Sequence, residues 1–264
     1  MVKMLRTVKQ ALKFAVAEFG YEIVRLRPKP EQIFPSDYGR PKPEEIFPPD
    51  FDSTTKALWW AVDRYTMTSP ERVWALRAAL EYVLANKIPG DIVECGVWKG
   101  GSMMVCALTL LEKSERRDLW LFDTFEGMAA PKKVDIDYRG NKATQILEEI
   151  RAEASLDEVQ KNIESTGYPL ERVRFVKGRV EDTIPESAPQ RIALLRLDTD
   201  WYESTYHELV HLYPRLSPRG VLLIDDYGHW AGSRKATDQY FAEHAIHPLL
   251  HRIDYTARLL VKSA

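Results

Sequence analysis

The sequence has only two cysteines, Cys95 and Cys106, in 264 residues, too few for a disulfide-built scaffold. One lies in a strand-like apolar run and the other on the apolar side of the next helix, so both are expected as buried free thiols in a reducing cytoplasm. No apolar run approaches the ~20 residues of a membrane span, and Lys9 and Lys13 interrupt any signal-peptide core. An excess of one charge is also missing. Lys plus Arg total 37 against 39 for Asp plus Glu, a formal net charge of −2, which gives no electrostatic case for nucleic acid as a partner. The six histidines form no metal-ligand cluster: His207 and His211 have i, i+4 spacing, but Glu208 does not complete H-E-x-x-H, so they are taken as surface or packing residues. No Ser or Cys has the context of a catalytic triad.

The length suits one large α/β domain with additions, or two small domains, and is long enough to bury a substantial core. Residues 1–30 carry seven Lys or Arg against two acids, and Leu5, Val8, Leu12, Ala15, Phe19 and Ile23 mark one helical face. This helix is expected to pack on the main domain or on a dimer mate. Residues 27–50 then contain a direct repeat, Arg27-Pro28-Lys29-Pro30-Glu31-Gln32-Ile33-Phe34-Pro35 recurring as Arg40-Pro41-Lys42-Pro43-Glu44-Glu45-Ile46-Phe47-Pro48. Its prolines forbid a helix and favour an extended arm or lid with Phe34 and Phe47 as apolar anchors. The expected division is an N-terminal helix and proline-rich arm over 1–53 and one main domain over 54–264.

From residue 54 the pattern alternates. Helices are expected at 54–65, from the Ser69 cap and Pro70 to about Asn86, and near 101–113, 155–165, 203–215 and 233–244. Strands are expected at 91–95, 118–123, 172–177, 191–198, 219–225 and around Leu259-Leu260-Val261. Strands alternating with helices imply a doubly wound, mostly parallel sheet, which binds ligands at the carboxyl ends of its strands near a topological switch point.

Two of those strands end in paired acids: Asp198 and Asp200 in Leu197-Asp198-Thr199-Asp200-Trp201-Tyr202, and Asp225 and Asp226 in Ile224-Asp225-Asp226-Tyr227. As neighbours in one parallel sheet they would converge on one edge. Two unit charges ~4 Å apart repel by roughly 4 kcal/mol at an effective dielectric of 20, a penalty removed by a hard divalent cation with oxygen ligands. Val93-Glu94-Cys95-Gly96-Val97-Trp98-Lys99-Gly100-Gly101-Ser102 is a strand, a glycine turn and a helix start. Its G-x-x-x-G-G spacing is neither the dinucleotide fingerprint nor a phosphate loop. An acid at Glu94 would repel a pyrophosphate and suits a cationic ligand such as an amine or sulfonium. Asp123 ends the next strand, where doubly wound folds bind ribose hydroxyls. The segment from Lys177 to Pro185 follows the third strand, where it could flank a nucleobase.

Four motifs in order resemble the macrocin O-methyltransferase (TylF-type) family over roughly residues 54–245: Val93–Ser102, Phe122-Asp123-Thr124-Phe125-Glu126-Gly127-Met128, Leu197–Thr205 and Ile224-Asp225-Asp226-Tyr227-Gly228. The resemblance implies a class I, Rossmann-like methyltransferase fold. It also implies S-adenosylmethionine- and Mg²⁺-dependent O-methylation of a small-molecule hydroxyl, a natural-product sugar in antibiotic tailoring or alternatively a phenol or catechol. By resemblance, Thr66, Met67, Glu94, Gly96, Gly100, Gly101, Ser102, Asp123, Gly178 and Asp182 border the cofactor. Asp198, Asp225 and Asp226 ligate Mg²⁺, and Asp200 or Asp198 acts as base. The chain departs from the family pattern at Trp201 and in a long charged stretch through residue 153, both on the acceptor side. Competing readings are a nucleotide-dependent oxidoreductase, disfavoured by the glycine spacing and Glu94, and a non-catalytic cofactor-binding protein, disfavoured by the four acids. A cytoplasmic homodimer is expected.

Overall fold

A computed structural model describes residues 47–150 and 152–263. The basic N-terminal helix and most of the proline-rich arm expected over residues 1–53 therefore lie outside the described residues. Of the arm's anchors, Phe47 is described and buried, its ring edge-on to Trp60 at 5.7 Å, while Phe51 stacks on Trp74 at 6.1 Å.

Helix α1, Ser53–Val62, starts where the Asp52 carboxylate accepts the Thr55 amide at 2.6 Å. Helix α2, Pro70–Ala85, starts as its sequence dictates: Ser69 Oγ accepts the Arg72 amide at 3.3 Å and Pro70 fills the first position. The βα alternation follows as β1 Asp91–Cys95, α3 Gly101–Glu112, β2 Leu119–Asp123, α4 Ala143–Ile150, α5 Leu156–Glu164, β3 Val173–Lys177, a single turn α6 Val180–Thr183, β4 Ile192–Leu197, α7 Tyr202–Leu212, β5 Leu216–Ile224 and α8 Ala231–Glu243. Short β6, His251–Arg252, and β7, Arg258–Val261, close the described chain.

The seven strands lie in the order β3-β2-β1-β4-β5-β7-β6. Strands β1 to β5 are parallel and β7 runs antiparallel to β5, so the sheet is mostly parallel with a reversed edge. The chain winds outward from β1 through β3 and returns to β4 beside β1. That reversal is the topological switch point, and the crevice above β1 and β4 is where such sheets bind ligands. Helices cover both faces. Leu80, Leu110, Leu121 and Ile163 belong to one apolar layer, and Phe122, Leu195, Leu209 and Tyr240 to the other. Cys95 and Cys106 are buried free thiols.

The structure departs from the sequence reading at α4, placed where residues 129–153 lack an expected element. Ala143, Ile146, Leu147 and Ile150 have the i, i+3, i+4, i+7 spacing of one helical face and pack with Trp201 and Trp230. Strand β5 also begins earlier than expected, at Leu216, and the two-residue β6 is too short to carry a pattern. Among the described residues, no helix is long and apolar enough to cross a membrane.

Candidate active site

Glycine shapes the turn after β1 for steric reasons. Gly96 has φ +79°, and a Cβ there would sit 2.0 Å from the Asp198 carbonyl oxygen, so the turn is pressed directly against the end of β4. Gly100 caps α3 in the left-handed region at φ +88°. The Gly101 amide donates to the Tyr65 carbonyl at 2.9 Å, and a Cβ on Gly101 would meet the Thr66 side chain at 2.7 Å. Thr66 thus abuts the turn, with the exposed Met67 beside it. Asp123, at the end of β2, accepts the Val97 and Trp98 amides at 2.6 and 3.1 Å through one oxygen and the Phe125 amide at 2.7 Å through the other. Its carboxylate is therefore a brace for the glycine turn. The Gly178 amide donates to the Asp123 carbonyl at 3.0 Å, bringing that loop alongside, and Asp182 lies exposed on α6. Ser102 is buried in the first turn of α3.

Register places the charges. Glu94 on β1 lies opposite Arg196 on β4, which lies opposite Leu223 on β5. Side chains alternate along a strand, so Asp198 and Asp225, two residues further on, share that face. The buried Arg196 donates to Glu94 Oε1 at 2.5 Å, Asp198 Oδ2 at 2.6 Å and Asp225 Oδ1 at 2.5 Å. Arg72 from α2 donates to the second Asp225 oxygen and also pairs with Asp254. Sequence reasoning missed both arginines. Arg196 left a signal, as one charge inside an otherwise apolar, wholly buried strand.

One ligand atom from each of Asp198, Asp225 and Asp226 lies within 4.8 Å of the others. The environments differ. Burial raises Asp225, but Arg196 and Arg72 outweigh it and hold that carboxyl below its ordinary value. Asp198 is pushed up to about 6, by burial and by Asp225 against the pull of Arg196 and Arg72. Asp226 is raised well above the carboxylate range by burial and by the nearby Asp200, Asp198 and Asp225. Asp200 is pushed up to about 8 by burial and by Asp198. Among the described residues, neither Asp200 nor Asp226 is in an ion pair, so two guanidinium groups face Glu94, Asp198, Asp200, Asp225, Asp226 and Asp254. The surplus of oxygen donors and negative charge suits a hard divalent cation.

Asp200 sits at φ +64°, with its amide on Asp226 Oδ2 at 3.1 Å and its Oδ1 accepting the Trp230 indole N–H at 2.7 Å. On the opposite face of the sheet, Glu208 of α7 is fully buried and its carboxyl takes the Thr199 hydroxyl at 3.0 Å. Glu94 is pushed up to about 8 by burial, against the pull of Arg196. Ser102 is near enough to favour its ionised form, yet Glu94 Oε2 has no hydrogen bond of ordinary geometry. That orphaned, buried carboxylate oxygen beside the glycine turn fits a cationic ligand group.

The charged stretch before residue 153 forms a wall of the site. Trp201 donates from its indole to the Ala129 carbonyl at 2.8 Å and meets Trp230 edge-on at 5.0 Å. Buried Asp135 accepts the Tyr202 amide at 2.9 Å, and Asp137 bridges Trp230. Tyr138, His229 and Tyr255 cluster at the rim, with His229 Nδ1 3.0 Å from the Tyr255 hydroxyl. Sequence reasoning did not single these rings out, since they come from three distant segments.

Comparison with known proteins identifies the family and the fold. The Macrocin-O-methyltransferase (TylF) family matches residues 3–262. The chain is 37% identical over 202 residues to 8-demethyl-8-(2,3-dimethoxy-alpha-L-rhamnosyl)-tetracenomycin-C 4'-O-methyltransferase of Streptomyces olivaceus, covering 75% of each chain. It is 34% identical over 197 residues to demethyldecarbamoylnovobiocin O-methyltransferase of Streptomyces niveus, covering 74% of each. The structure of the O-methyltransferase NovP superposes with a TM-score of 0.70 at 32% identity, covering 76% of this chain and 83% of that one. The calicheamicin methyltransferase CalS11, at 19% identity and TM-score 0.59, shares the fold. The chain is an O-methyltransferase and belongs to the macrocin O-methyltransferase family.

Proposed function

We propose that this enzyme transfers the methyl group of S-adenosylmethionine to a hydroxyl of a natural-product sugar, with Mg²⁺ held by Asp198, Asp225 and Asp226. The observation that carries this reading is the convergence of those three carboxylates, within 4.8 Å, near a glycine turn beside which one buried oxygen of Glu94, Oε2, has no hydrogen-bond partner. The relatives' names support the acceptor class: one acts on a rhamnosyl group at its 4' oxygen, and a second, 36% identical, is mycinamicin III 3''-O-methyltransferase of Micromonospora griseorubida.

When bound, the cation supplies Lewis-acid activation of an acceptor hydroxyl and offsets the crowded negative charge. The chain's own groups do the rest. Glu94 and the turn from Gly96 to Ser102, with Thr66 and Met67, hold the cofactor, and Asp123 keeps that turn in shape while Gly178 and Asp182 flank the nucleoside end. Asp200 is the base: its raised affinity for protons suits it to take the acceptor's hydroxyl proton, and Trp230 fixes its direction. Asp198 is tied to Arg196 and serves less well in that role. Trp201, Trp230 and the Asp135–Asp137 segment wall the site, excluding water and orienting the acceptor oxygen toward the methyl.

Buried free thiols support a cytoplasmic setting. The half-exposed Trp74 and Val261, flanking an apolar groove between α2 and β7, support a homodimer, which light scattering would measure.

The test is methyl transfer from labelled S-adenosylmethionine to deoxysugar-bearing and catechol acceptors, with and without EDTA. EDTA-sensitive labelling of the sugar is expected. Labelling of catechol alone would move the reading to a phenolic acceptor, and full activity in EDTA would overturn the metal assignment.

A further inference from the structure

Arg72 holds an unusual position in the carboxylate site. It projects from the first turn of α2, partly buried, with one guanidinium nitrogen on Asp225 and a second within 3.5 Å of the Met67 carbonyl. Its Nε lies 3.0 Å from Asp254 Oδ2, yet the angle is poor and this buried N–H makes no proper hydrogen bond. A buried donor in that state is rare and points to a second arrangement that would satisfy it.

The surroundings supply one. Asp254 is fixed on the turn between β6 and β7: its Oδ1 takes the Thr256 and Ala257 amides at 2.9 and 2.8 Å, and its Oδ2 takes the Ser69 hydroxyl at 3.0 Å. The Thr256 hydroxyl in turn donates to the Asp225 carbonyl at 2.8 Å, so both carboxylates belong to one rigid frame. Arg72 is the adjustable member. A small rotation would give Asp254 a two-pronged contact through Nε and a terminal nitrogen, the geometry in which a guanidinium binds a carboxylate best. Arg196 has no such alternative, since it is more deeply buried and divided among three carboxylates.

Both Asp225 oxygens are taken by guanidinium groups, whereas Asp226, among the described residues, accepts the Asp200 amide and is in no ion pair. We propose that Arg72 and a divalent cation compete for Asp225, and that Asp254 receives the Arg72 guanidinium when the cation takes that carboxylate. This rests on the metal reading above. It makes Arg72 a positioning residue that sets the site's cation affinity, and Asp254 its receiving partner. The exchange moves no net charge out of the buried frame, so the cation adds its charge where carboxylates are in surplus.

The test is a calorimetric titration of Mn²⁺ into the full chain without cofactor, for wild type, Arg72→Gln, Asp254→Asn and the double variant. Removing the competitor should tighten Mn²⁺ binding about tenfold, and removing its receiver should weaken binding by a similar factor. In the Arg72→Gln background, Asp254→Asn should then change affinity by less than about twofold, a coupling that two independent charges would not give. An additive cycle, or unchanged affinity in Arg72→Gln, overturns the competition while leaving the metal site standing. Failure of the wild-type chain to bind Mn²⁺ overturns both. Should Arg72→Gln not fold, a Mn²⁺-loaded crystal of the wild type decides: Arg72 off Asp225 and two-pronged on Asp254 supports the exchange, and Arg72 still on Asp225 refutes it.

Discussion

Trp230 Nε1 donates a 2.7 Å hydrogen bond to Asp200 Oδ1, joining the start of α8 to a residue whose backbone sits at φ +64°. Non-glycine residues rarely take that conformation, and here the Asp226 carboxylate on the Asp200 amide and the indole on its side chain maintain it. Trp230→Phe keeps the ring's packing on Trp201 and deletes the donor. A hydrogen bond to a charged group is worth about 1.5–3 kcal/mol, so kcat should fall by about ten- to a hundredfold. Cofactor affinity should be unchanged. Steady-state kinetics would check this, and a kcat within twofold of wild type would remove Asp200 as the oriented base.

Asp225 and Asp226 are adjacent but not equivalent. Asp225→Asn strips one charge from between the buried Arg196 and the partly buried Arg72 guanidinium groups, and breaking such a pairing costs about 3 kcal/mol or more of stability. Among the described residues Asp226 has no guanidinium partner, so Asp226→Asn should leave the fold intact. It should weaken cation binding at least about tenfold and lower turnover in step, while S-adenosylmethionine binding stays within about twofold. Thermal melts with Mn²⁺ and cofactor titrations separate the two variants. A stable, fully active Asp226→Asn enzyme at limiting metal would remove Asp226 from the metal site.

The acids were legible because parallel strands end at a common edge: Asp198 and the Asp225-Asp226 pair, 27 residues apart, converge once β4 and β5 pair in register. The Gly96–Gly101 turn was legible because close backbone approach leaves glycine as its trace. Arg72 was not, for its contact with Asp225 spans 153 residues and no local pattern encodes it. Glu208 reads in sequence as one more polar helix residue, and only the packing of α7 on the sheet buries it. Helix α4 had a local signal in its apolar spacing, obscured by the charges around it. The rim rings Tyr138, His229 and Tyr255 had none.

Gly96 and Gly140 both have positive φ, +79° and +87°, but differ in surroundings. A Cβ at Gly140 meets nothing within 4 Å, so Gly140→Ala should lose only the conformational term of about 1 kcal/mol. At Gly96 the new Cβ would lie 2.0 Å from the Asp198 carbonyl, between strand ends that cannot separate without disturbing the acids. Gly96→Ala should lose more than about 3 kcal/mol and most cofactor affinity. Chemical denaturation and cofactor titration of both variants measure the difference. Equal stability losses would mean that the turn and β4 can move apart, and that this contact does not tie the cofactor site to the metal site.

Glu208 has its pKa raised well above the ordinary value by burial, against the pull of the Thr199 hydroxyl. The folded state therefore keeps a proton that the unfolded chain releases near pH ~4.3. Above that pH the native protein binds more protons than the unfolded one, so stability falls as pH rises, by up to about 1.4 kcal/mol per pH unit from this group until its native pKa is reached. Below the unfolded value the group contributes no pH dependence. Glu208→Gln keeps the shape and a partner for Thr199 without an ionisable proton. Its stability at pH 7.5 should exceed that of wild type, and the two should converge near pH 4. Denaturation midpoints across that range check the sign: a variant less stable at pH 7.5 than wild type would mean that Glu208 is charged in the fold and that its burial is offset by a cation.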